Sequence, residues 1–224
     1  MTKRKKTVRS SKHKHSGPAN PKNAILAAAL LHVPFDGFTN GVLARAAVET
    51  GVSRAELQRD FPDGPLSLVE AFSDWADAQM LAELAKQDLA SLKVRERISR
   101  AVELRIAVLR PHKEATRRAA AFLMLPPNVG TGARLLYQSV DAIWRAIGDT
   151  STDFNFYTKR GILAGVYGST AMRWFNDTSE DEKLTQQFLA ARIENVLQFE
   201  KFKSRAKEAL SGFPMFADWA KKTK

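Results

Sequence analysis

The side chains of this chain that could do acid–base or metal chemistry are few and scattered. Of the four histidines, His13 and His15 stand in a basic N-terminal stretch, and neither His32 nor His112 has a glutamate three residues earlier. The Glu-x-x-His pair of di-iron helical bundles is therefore absent from the sequence. The acidic run at 180–182 fits a helix N-terminus, where carboxylates interact favourably with the helix dipole. We predict no metal site and no cofactor.

Other catalytic chemistries lack their residues as well. The sequence contains no cysteine, which excludes disulfides and thiolate catalysis and fits a cytosol-like compartment. It has no H-E-x-x-H, G-x-S-x-G, Walker A or G-x-G-x-x-G motif. His112 stands near a helix start in RPHKEATRR, where we expect a solvated side chain. We therefore expect a protein that is not an enzyme.

The strongest binding candidates lie in the stretch GDTSTDFNFYTKRGILAGVYGST, residues 148–170. Asp153 can cap a helix, and Phe156 and Tyr157 then fall in its first turn and a half. An aromatic side chain so near a loop is less often core than one in mid-helix, and exposed aromatics are typical interface anchors. The pattern therefore favours contact with a partner.

Three glycines follow on the same predicted helix, although each costs roughly 1 kcal/mol against alanine. Together with Tyr157, the positions Gly161, Gly165 and Gly168 share one helix face. Such a smooth face lets another backbone or a flat ligand come close. Two interpretations stay open: tight packing of two neighbouring helices, and the wall of a ligand site.

The elements that position these residues are helices. From Pro21 onward the apolar residues recur with a helical period, and no window alternates as a β-strand does. We predict an all-α protein. Three shorter helices and a long one from Leu66 to about Leu89 come first. The later predicted helices run over 93–110, 112–124, 128–148, 153–176, 179–205 and 212–222.

Residues 39–60 have the layout of a helix-turn-helix unit: a helix, the turn TGV and a second, short helix. The run FTNGVLARAAVETGVSRAELQRDFPDGPLSLVEAF resembles the N-terminal domain of TetR-type regulators. The short helix sets Arg54 and Arg59 against Glu56 and Asp60, whereas DNA recognition needs an excess of cations. We therefore expect a structural or protein-contact role rather than DNA binding. The predicted core of this unit is Leu43, Ala46, Ala47, Val52, Leu57 and Phe61.

The stretch GDTSTDFNFYTKRGILAGVYGSTAMRWFNDTSED resembles the signature region of the ubiquinone-biosynthesis accessory protein family, and the resemblance covers roughly residues 24–200. It implies a TetR-like fold and a non-catalytic role: members bind an isoprenoid quinone intermediate and present it to the di-iron demethoxyubiquinone hydroxylase. The patch implicated in that contact corresponds to Asp153, Phe156 and Tyr157. Phe156 replaces the usual tryptophan, which keeps an aromatic face but removes the indole N–H donor.

The same resemblance makes the apolar helix faces candidate walls for a lipid, although such stripes also form the core of any helical bundle. The predicted lipid-binding residues are Phe122, Leu135, Val140, Ile143, Trp144, Gly161, Gly165 and Val166. The alternative function is that of a TetR-type transcriptional regulator that senses a hydrophobic ligand.

The net charge of +11 is concentrated at the two ends of the chain. Residues 1–16 hold seven Lys or Arg and no acid, and residues 201–224 hold seven against two acids. The predicted segments are a disordered basic tail over 1–20, a helix-turn-helix-like unit over 21–65, a lipid-binding and dimerisation bundle over 66–205, and a basic, aromatic tail over 206–224.

The C-terminal tail interleaves its cations with aromatics such as Phe213, Phe216 and Trp219. That composition suits a helix lying on a membrane surface, and docking of the tail on the body or on a second subunit stays open. TetR-like proteins pair through their last two core helices, so we expect a homodimer. We expect a cytoplasmic location, peripheral to the inner (plasma) membrane of a bacterium.

Overall fold

The computed structural model describes residues 20–152 and 154–211, without the side chains of residues 154, 197 and 199–211. This part of the chain consists of helices and connecting turns and has no β-strand, so the prediction of an all-α protein is confirmed. The α-helices are α1 (Pro21–Asp36), α2 (Asn40–Thr50), α3 (Arg54–Asp60), α4 (Pro65–Leu84), α5 (Val94–Leu109), α6 (Lys113–Leu123), α7 (Val129–Ala146), α8 (Phe154–Phe175) and α9 (Lys183–Ser211).

Short 3-10 helices at Arg110–His112, Pro126–Asn128 and Glu180–Glu182 lead into α6, α7 and α9. Among the described helices, none is long and apolar enough to cross a membrane. The helix predicted over 212–222, and with it most of the predicted membrane-contact tail, lies outside the described residues.

The described residues up to Ala71 form one compact unit, in which α2 and α3 pack on α1. Local signals set its helix ends: the Thr39 hydroxyl accepts a hydrogen bond from the Val42 N–H at 3.3 Å, and α2 ends at Gly51, whose φ of +66° favours glycine. Leu57 is only half-buried. The remaining predicted core residues are confirmed as buried: Leu43, Ala46, Ala47, Val52 and Phe61.

The short helix α3 presents a neutralised charge pair at its end. The Arg59 guanidinium donates to the Asp60 carboxylate at 2.8 Å. At the start of α3, Ser53 and Glu56 form a reciprocal capping box, in which the Glu56 carboxylate accepts the Ser53 N–H at 3.0 Å. Three of the four charges expected from the sequence are therefore engaged: Arg59 with Asp60, and Glu56 with the start of the helix.

The residues from Phe72 form a second compact unit, made of the rest of α4 and α5 to α9. In it α7 packs along α8, α8 packs along α9, and α5 contacts both α7 and α9. The boundary between the two units falls after Ala71, inside α4. The predicted domain limits after residues 65 and 205 stay predictions.

A buried charged cluster ties four helices of this second unit together. Arg105 on α5 is 5% exposed and donates through Nε to Asp77 on α4 at 2.7 Å. It also donates to Ser139 on α7 at 3.0 Å and to the hydroxyl of Tyr167 on α8. Burial raises the pKa of Tyr167, which keeps its hydroxyl neutral beside the guanidinium. Because each partner belongs to a different helix, the cluster favours one register of the bundle.

The environment of His112 corrects the sequence prediction. The imidazole is half-buried rather than solvated, and its ring meets Trp75 edge-on at 5.4 Å and Phe72 at 6.0 Å between centroids. This burial lowers the pKa of His112. The aromatic partners belong to α4 and are distant in sequence, so the residues around His112 give no sign of them.

Candidate partner-binding site

Two of the predicted partner-binding residues, Phe156 and Tyr157, lie at the start of α8, after the loop that leaves α7. That helix ends at Ala146 and is followed by Ile147 and by Gly148, whose φ of +89° is the left-handed conformation that favours glycine. The Gly148 N–H donates to Arg145 O at 3.1 Å, and the Asp149 N–H donates to Trp144 O at 3.0 Å. The reversed chain brings the Asp149 carboxylate against the first turns of α8.

Arg160, on the second turn of α8, holds this loop to both helices. Its side chain is 1% exposed, and its Nε donates to Asp141 on α7 at 2.6 Å. Its Nη1 donates to Asp149 in the loop at 3.2 Å and to the carbonyl of Phe156 at 3.1 Å. A buried guanidinium with carboxylates on two sides is paired and hydrogen-bonded, as a buried charge requires.

Asp149 is the second centre of this network. Burial opposes its ionisation, but hydrogen bonds from Lys159, Ser151 and Arg160 outweigh burial and lower the pKa of Asp149 to about 2. The Lys159 ammonium donates to Asp149 at 2.8 Å and to the Ser151 hydroxyl at 2.6 Å. The loop after Gly148 is therefore fixed by charge-assisted hydrogen bonds rather than by apolar packing.

The two predicted aromatic anchors have different environments. Phe156 is half-buried, and the Arg160 guanidinium lies 3.4 Å from the centre of its ring. Tyr157 is 67% exposed and meets Phe156 edge-on, with ring centroids 5.1 Å apart. Asp153 lies outside the described residues. Tyr157 is thus the side chain that a partner can reach, while Phe156 supports it from below.

The predicted lipid-binding set does not come together at one place. Five of its residues point into the bundle and are buried, and Phe122 is half-buried near the end of α6. The buried five are Leu135, Val140, Ile143, Trp144 and Val166. Gly161 and Gly165 are exposed on α8. On α8 the core-facing positions are Leu163, Val166 and Tyr167, so the two glycines belong to the opposite side of the helix.

The structure corrects both interpretations of the helix face that Gly161, Gly165 and Gly168 share. A Cβ atom added at Gly161, Gly165 or Gly168 would meet no described atom within 4 Å outside its own helix backbone. Neither a packed neighbouring helix nor the wall of an internal ligand site covers this face within the described part of the chain. A close approach at these positions has to come from outside the described residues, either from a second molecule or from a part of the chain that the structure does not describe.

The sequence did not predict the residues that fix the loop after α7 and the start of α8. Arg160 and Asp149 stand 11 positions apart, and Asp141 lies on the preceding helix, so no local pattern pairs them. The signal available was an arginine at the fourth position after Phe156, within reach of that ring on a helix. In the described part of the chain, no group of three or more His, Asp or Glu is arranged to hold a metal ion.

The arrangement of helices belongs to a known class. The fold resembles that of a solved TetR transcriptional regulator from Nitrosomonas europaea, with a TM-score of 0.63 at 21% identity, covering 77% of this chain and 95% of the other. The predicted TetR-like fold is confirmed. Within that class, residues 129–200, which carry the site, match the COQ9 family model.

The curated relatives agree with this assignment. The chain is 36% identical to the mitochondrial ubiquinone biosynthesis protein COQ9 of Bos taurus and 34% identical to that of Homo sapiens, each over 183 residues. These alignments cover 79% of this chain and 57% of each relative. A relative from Dictyostelium discoideum is 27% identical over 195 residues. The chain thus spans less than two thirds of the length of these relatives.

The predicted cellular location is wrong. The expected location was the cytoplasm, at the inner membrane of a bacterium. The named relatives, from animals and from Dictyostelium, are all described as mitochondrial proteins of eukaryotes. The earlier expectation rested on composition, and composition carries no information that separates those two membranes.

Proposed function

We propose that this chain is a non-catalytic accessory protein of ubiquinone biosynthesis. The observation that carries the proposal is the match of residues 129–200 to the COQ9 family, together with relatives named for ubiquinone biosynthesis. The second unit supplies the candidate lipid wall, formed by the buried apolar faces of α7 and α8. In this proposal the bundle holds an isoprenoid quinone intermediate.

The start of α8 is the proposed contact for the demethoxyubiquinone hydroxylase. Tyr157 offers a large amphipathic side chain that is 67% exposed, and Phe156 and Arg160 restrict the backbone beneath it. A tyrosine held in place loses little conformational entropy on binding, which is why such residues dominate protein interfaces. Membrane contact through residues 206–224 and a homodimer through α8 and α9 belong to the same proposal.

The contact is tested by replacing Tyr157 with alanine in the full chain. Binding to purified hydroxylase should weaken about tenfold or more, the usual effect of losing an aromatic anchor. The unfolding midpoint should stay unchanged because the side chain is largely exposed. Affinity is measured by biolayer interferometry and stability by thermal unfolding.

Tyr137→Ala is the matched control. Tyr137 is a tyrosine on α7 whose side chain is 41% exposed, and it lies outside the site. The control variant should bind the hydroxylase as the wild-type chain does. Normal hydroxylase binding by Tyr157→Ala, or an equal loss in both variants, would show that the start of α8 is not the contact.

A further inference from the structure

The turn between α6 and α7 carries a group of exposed apolar side chains. Met124 is 70% exposed, Leu125 51% and Val129 52%, and the prolines at 126 and 127 are exposed as well. We call Met124, Leu125, Pro126, Pro127 and Val129 the apolar turn. Single exposed hydrophobic residues are ordinary in soluble proteins, but five within six successive positions form a continuous tip.

The apolar turn is held in one shape by its own backbone. The Asn128 N–H donates to Leu125 O at 2.8 Å, and the Asn128 side-chain amide donates to Phe122 O at 3.0 Å. Asn128 is the one polar residue between 124 and 129, and it is half-buried with its amide turned back to the chain. Two consecutive prolines fix φ at the tip. The apolar turn therefore loses little further conformational entropy when its exposed surface binds another surface.

Arginines lie behind this tip on both helices, and the one on α7, Arg134, donates to Gln138 at 3.3 Å. From Ala115 to Val140 the sequence has three arginines, at 117, 118 and 134, and no acidic residue. Arg118 precedes Met124 by six residues and Arg134 follows Val129 by five, which is about 9 Å and about 8 Å along the helix axes. Arg117 and Arg118 both pair with Glu114, so these three groups together keep one positive charge.

We propose that the apolar turn inserts into the interface of an anionic phospholipid bilayer, with Arg117 and Arg118 of α6 at the level of the phosphates. Interfacial segments bury apolar groups roughly 5–10 Å into the headgroup boundary, which matches the spacing between the tip and its cations. The tip is aliphatic and has no aromatic residue, whereas protein interfaces concentrate their energy in Trp, Tyr and Arg. A bilayer therefore fits this surface better than a protein does.

This contact does not rest on the proposed function, because it uses neither Tyr157 nor the C-terminal tail. It is tested with a probe at the turn itself. The natural chain has no cysteine, so Leu125→Cys provides a unique thiol for the polarity-sensitive dye NBD. Vesicles of phosphatidylcholine with phosphatidylglycerol should raise the NBD emission several-fold and shift it to the blue. Lipids brominated in their acyl chains should quench it.

The control probe sits at Val48→Cys on α2, where the side chain is 81% exposed. NBD at this position should keep the emission of an aqueous dye when the chain is bound to vesicles. If the chain binds vesicles while NBD at residue 125 stays aqueous, another segment makes the contact and the proposal is overturned. An equal rise in NBD emission with vesicles of pure phosphatidylcholine would overturn the requirement for anionic lipid. A response only to added hydroxylase marks the turn as a protein contact and also overturns it.

A second pair of substitutions measures the contribution of the turn. Met124→Glu with Leu125→Glu removes the apolar tip and adds negative charge at exposed positions. Affinity for the anionic vesicles, measured by co-sedimentation of the full chain, should fall about tenfold or more. Hydroxylase binding in the absence of lipid should not change, which separates failure of this inference from failure of the proposed function. Unchanged vesicle affinity would overturn the proposal.

Discussion

Arg160 holds the start of α8 through three different groups. It joins Asp141 on α7, Asp149 in the loop and the carbonyl of Phe156 on its own helix. Its guanidinium also lies over the Phe156 ring, a contact that needs an aromatic face and no N–H donor. The Phe156 ring therefore meets this requirement. What it cannot supply is a hydrogen bond from an indole.

The network makes stability depend on pH through Asp149. Its pKa of about 2 lies below the ordinary value of 3.8, so ionised Asp149 stabilises the fold above roughly pH 4, and that stability is lost as the pH falls through 2. The advantage of the wild type over Asp149→Asn in free energy of unfolding should shrink by about 1 kcal/mol between pH 5 and pH 3. Urea unfolding at the two pH values measures it.

Hydrogen bonds from Ser179 and Thr185 outweigh the burial of Asp177 and hold its pKa well below the usual range, so this residue also titrates at low pH. Asp177 is present in both chains, and its effect cancels in the difference between wild type and variant. A difference that stays constant from pH 5 to pH 3 would mean that Asp149 is not held by Lys159 and Arg160 in solution.

At the scale of elements, α8 has two faces with different environments. One face carries Leu163, Val166 and Tyr167 into the core, and the other carries Gly161 and Gly165 into open space. Nothing in the described fold requires glycine at the two exposed positions. Their presence is explained if a second molecule, such as another copy of the chain, approaches α8 closely.

Replacing Gly161 and Gly165 by alanine should therefore stabilise the isolated chain. Each exposed helical glycine costs roughly 0.5–1 kcal/mol against alanine, so the double variant should gain about 1–2 kcal/mol in free energy of unfolding. If the glycine face is the homodimer contact, the same variant should dimerise more weakly. Chemical unfolding and sedimentation equilibrium measure the two effects.

Gly132→Ala is the control for this pair. A Cβ atom at Gly132 would lie 3.2 Å from Leu123 Cβ and 3.3 Å from its carbonyl oxygen, which is tighter than ordinary packing. This variant should gain no stability. A loss of stability in the Gly161 and Gly165 double variant would contradict the open glycine face.

At the scale of the whole molecule, two candidate functions are compatible with the TetR-like fold: the accessory role and the transcriptional regulator. They differ in the molecule that the purified chain binds. The accessory role predicts that full-length protein purified under native conditions retains a lipid with a prenylated ring, detectable by native mass spectrometry and organic extraction. The regulator alternative predicts a chain that retards a promoter fragment at physiological salt. An empty chain that retards such a fragment would reject the accessory role.

Tyr157→Ala should retain the lipid in the same experiment. The predicted lipid wall is made of buried core residues such as Val140 and Ile143, while Tyr157 is exposed. Parallel loss of lipid and hydroxylase binding would mean that the two sites are one. The chain covers 57% of the Bos taurus relative, so the experiment also asks whether this length is sufficient for lipid binding.

Much of the fold follows from local sequence signals. The helical period predicted the all-α class, and the layout of residues 39–60 predicted the helix-turn-helix unit, whose helices span Asn40–Thr50 and Arg54–Asp60. The long motif at 148–170 predicted the family, which residues 129–200 confirm. The resemblance also pointed to Tyr157, which the structure leaves exposed.

The sequence by itself determined the helical class, the approximate limits of most helices and the family that the chain resembles, because caps, periodicity and motifs act between residues close in the chain. Two limits were wrong: α4 ends at Leu84 rather than near Leu89, and α9 begins at Lys183 and continues to Ser211 rather than spanning 179–205. Only the tertiary structure decided which faces are covered. Arg160 is buried by carboxylates from a preceding helix and loop, His112 by aromatics of α4, and Gly161 by nothing within the described residues. Burial depends on neighbours that are distant in sequence, and no local sequence pattern predicts which residues these are.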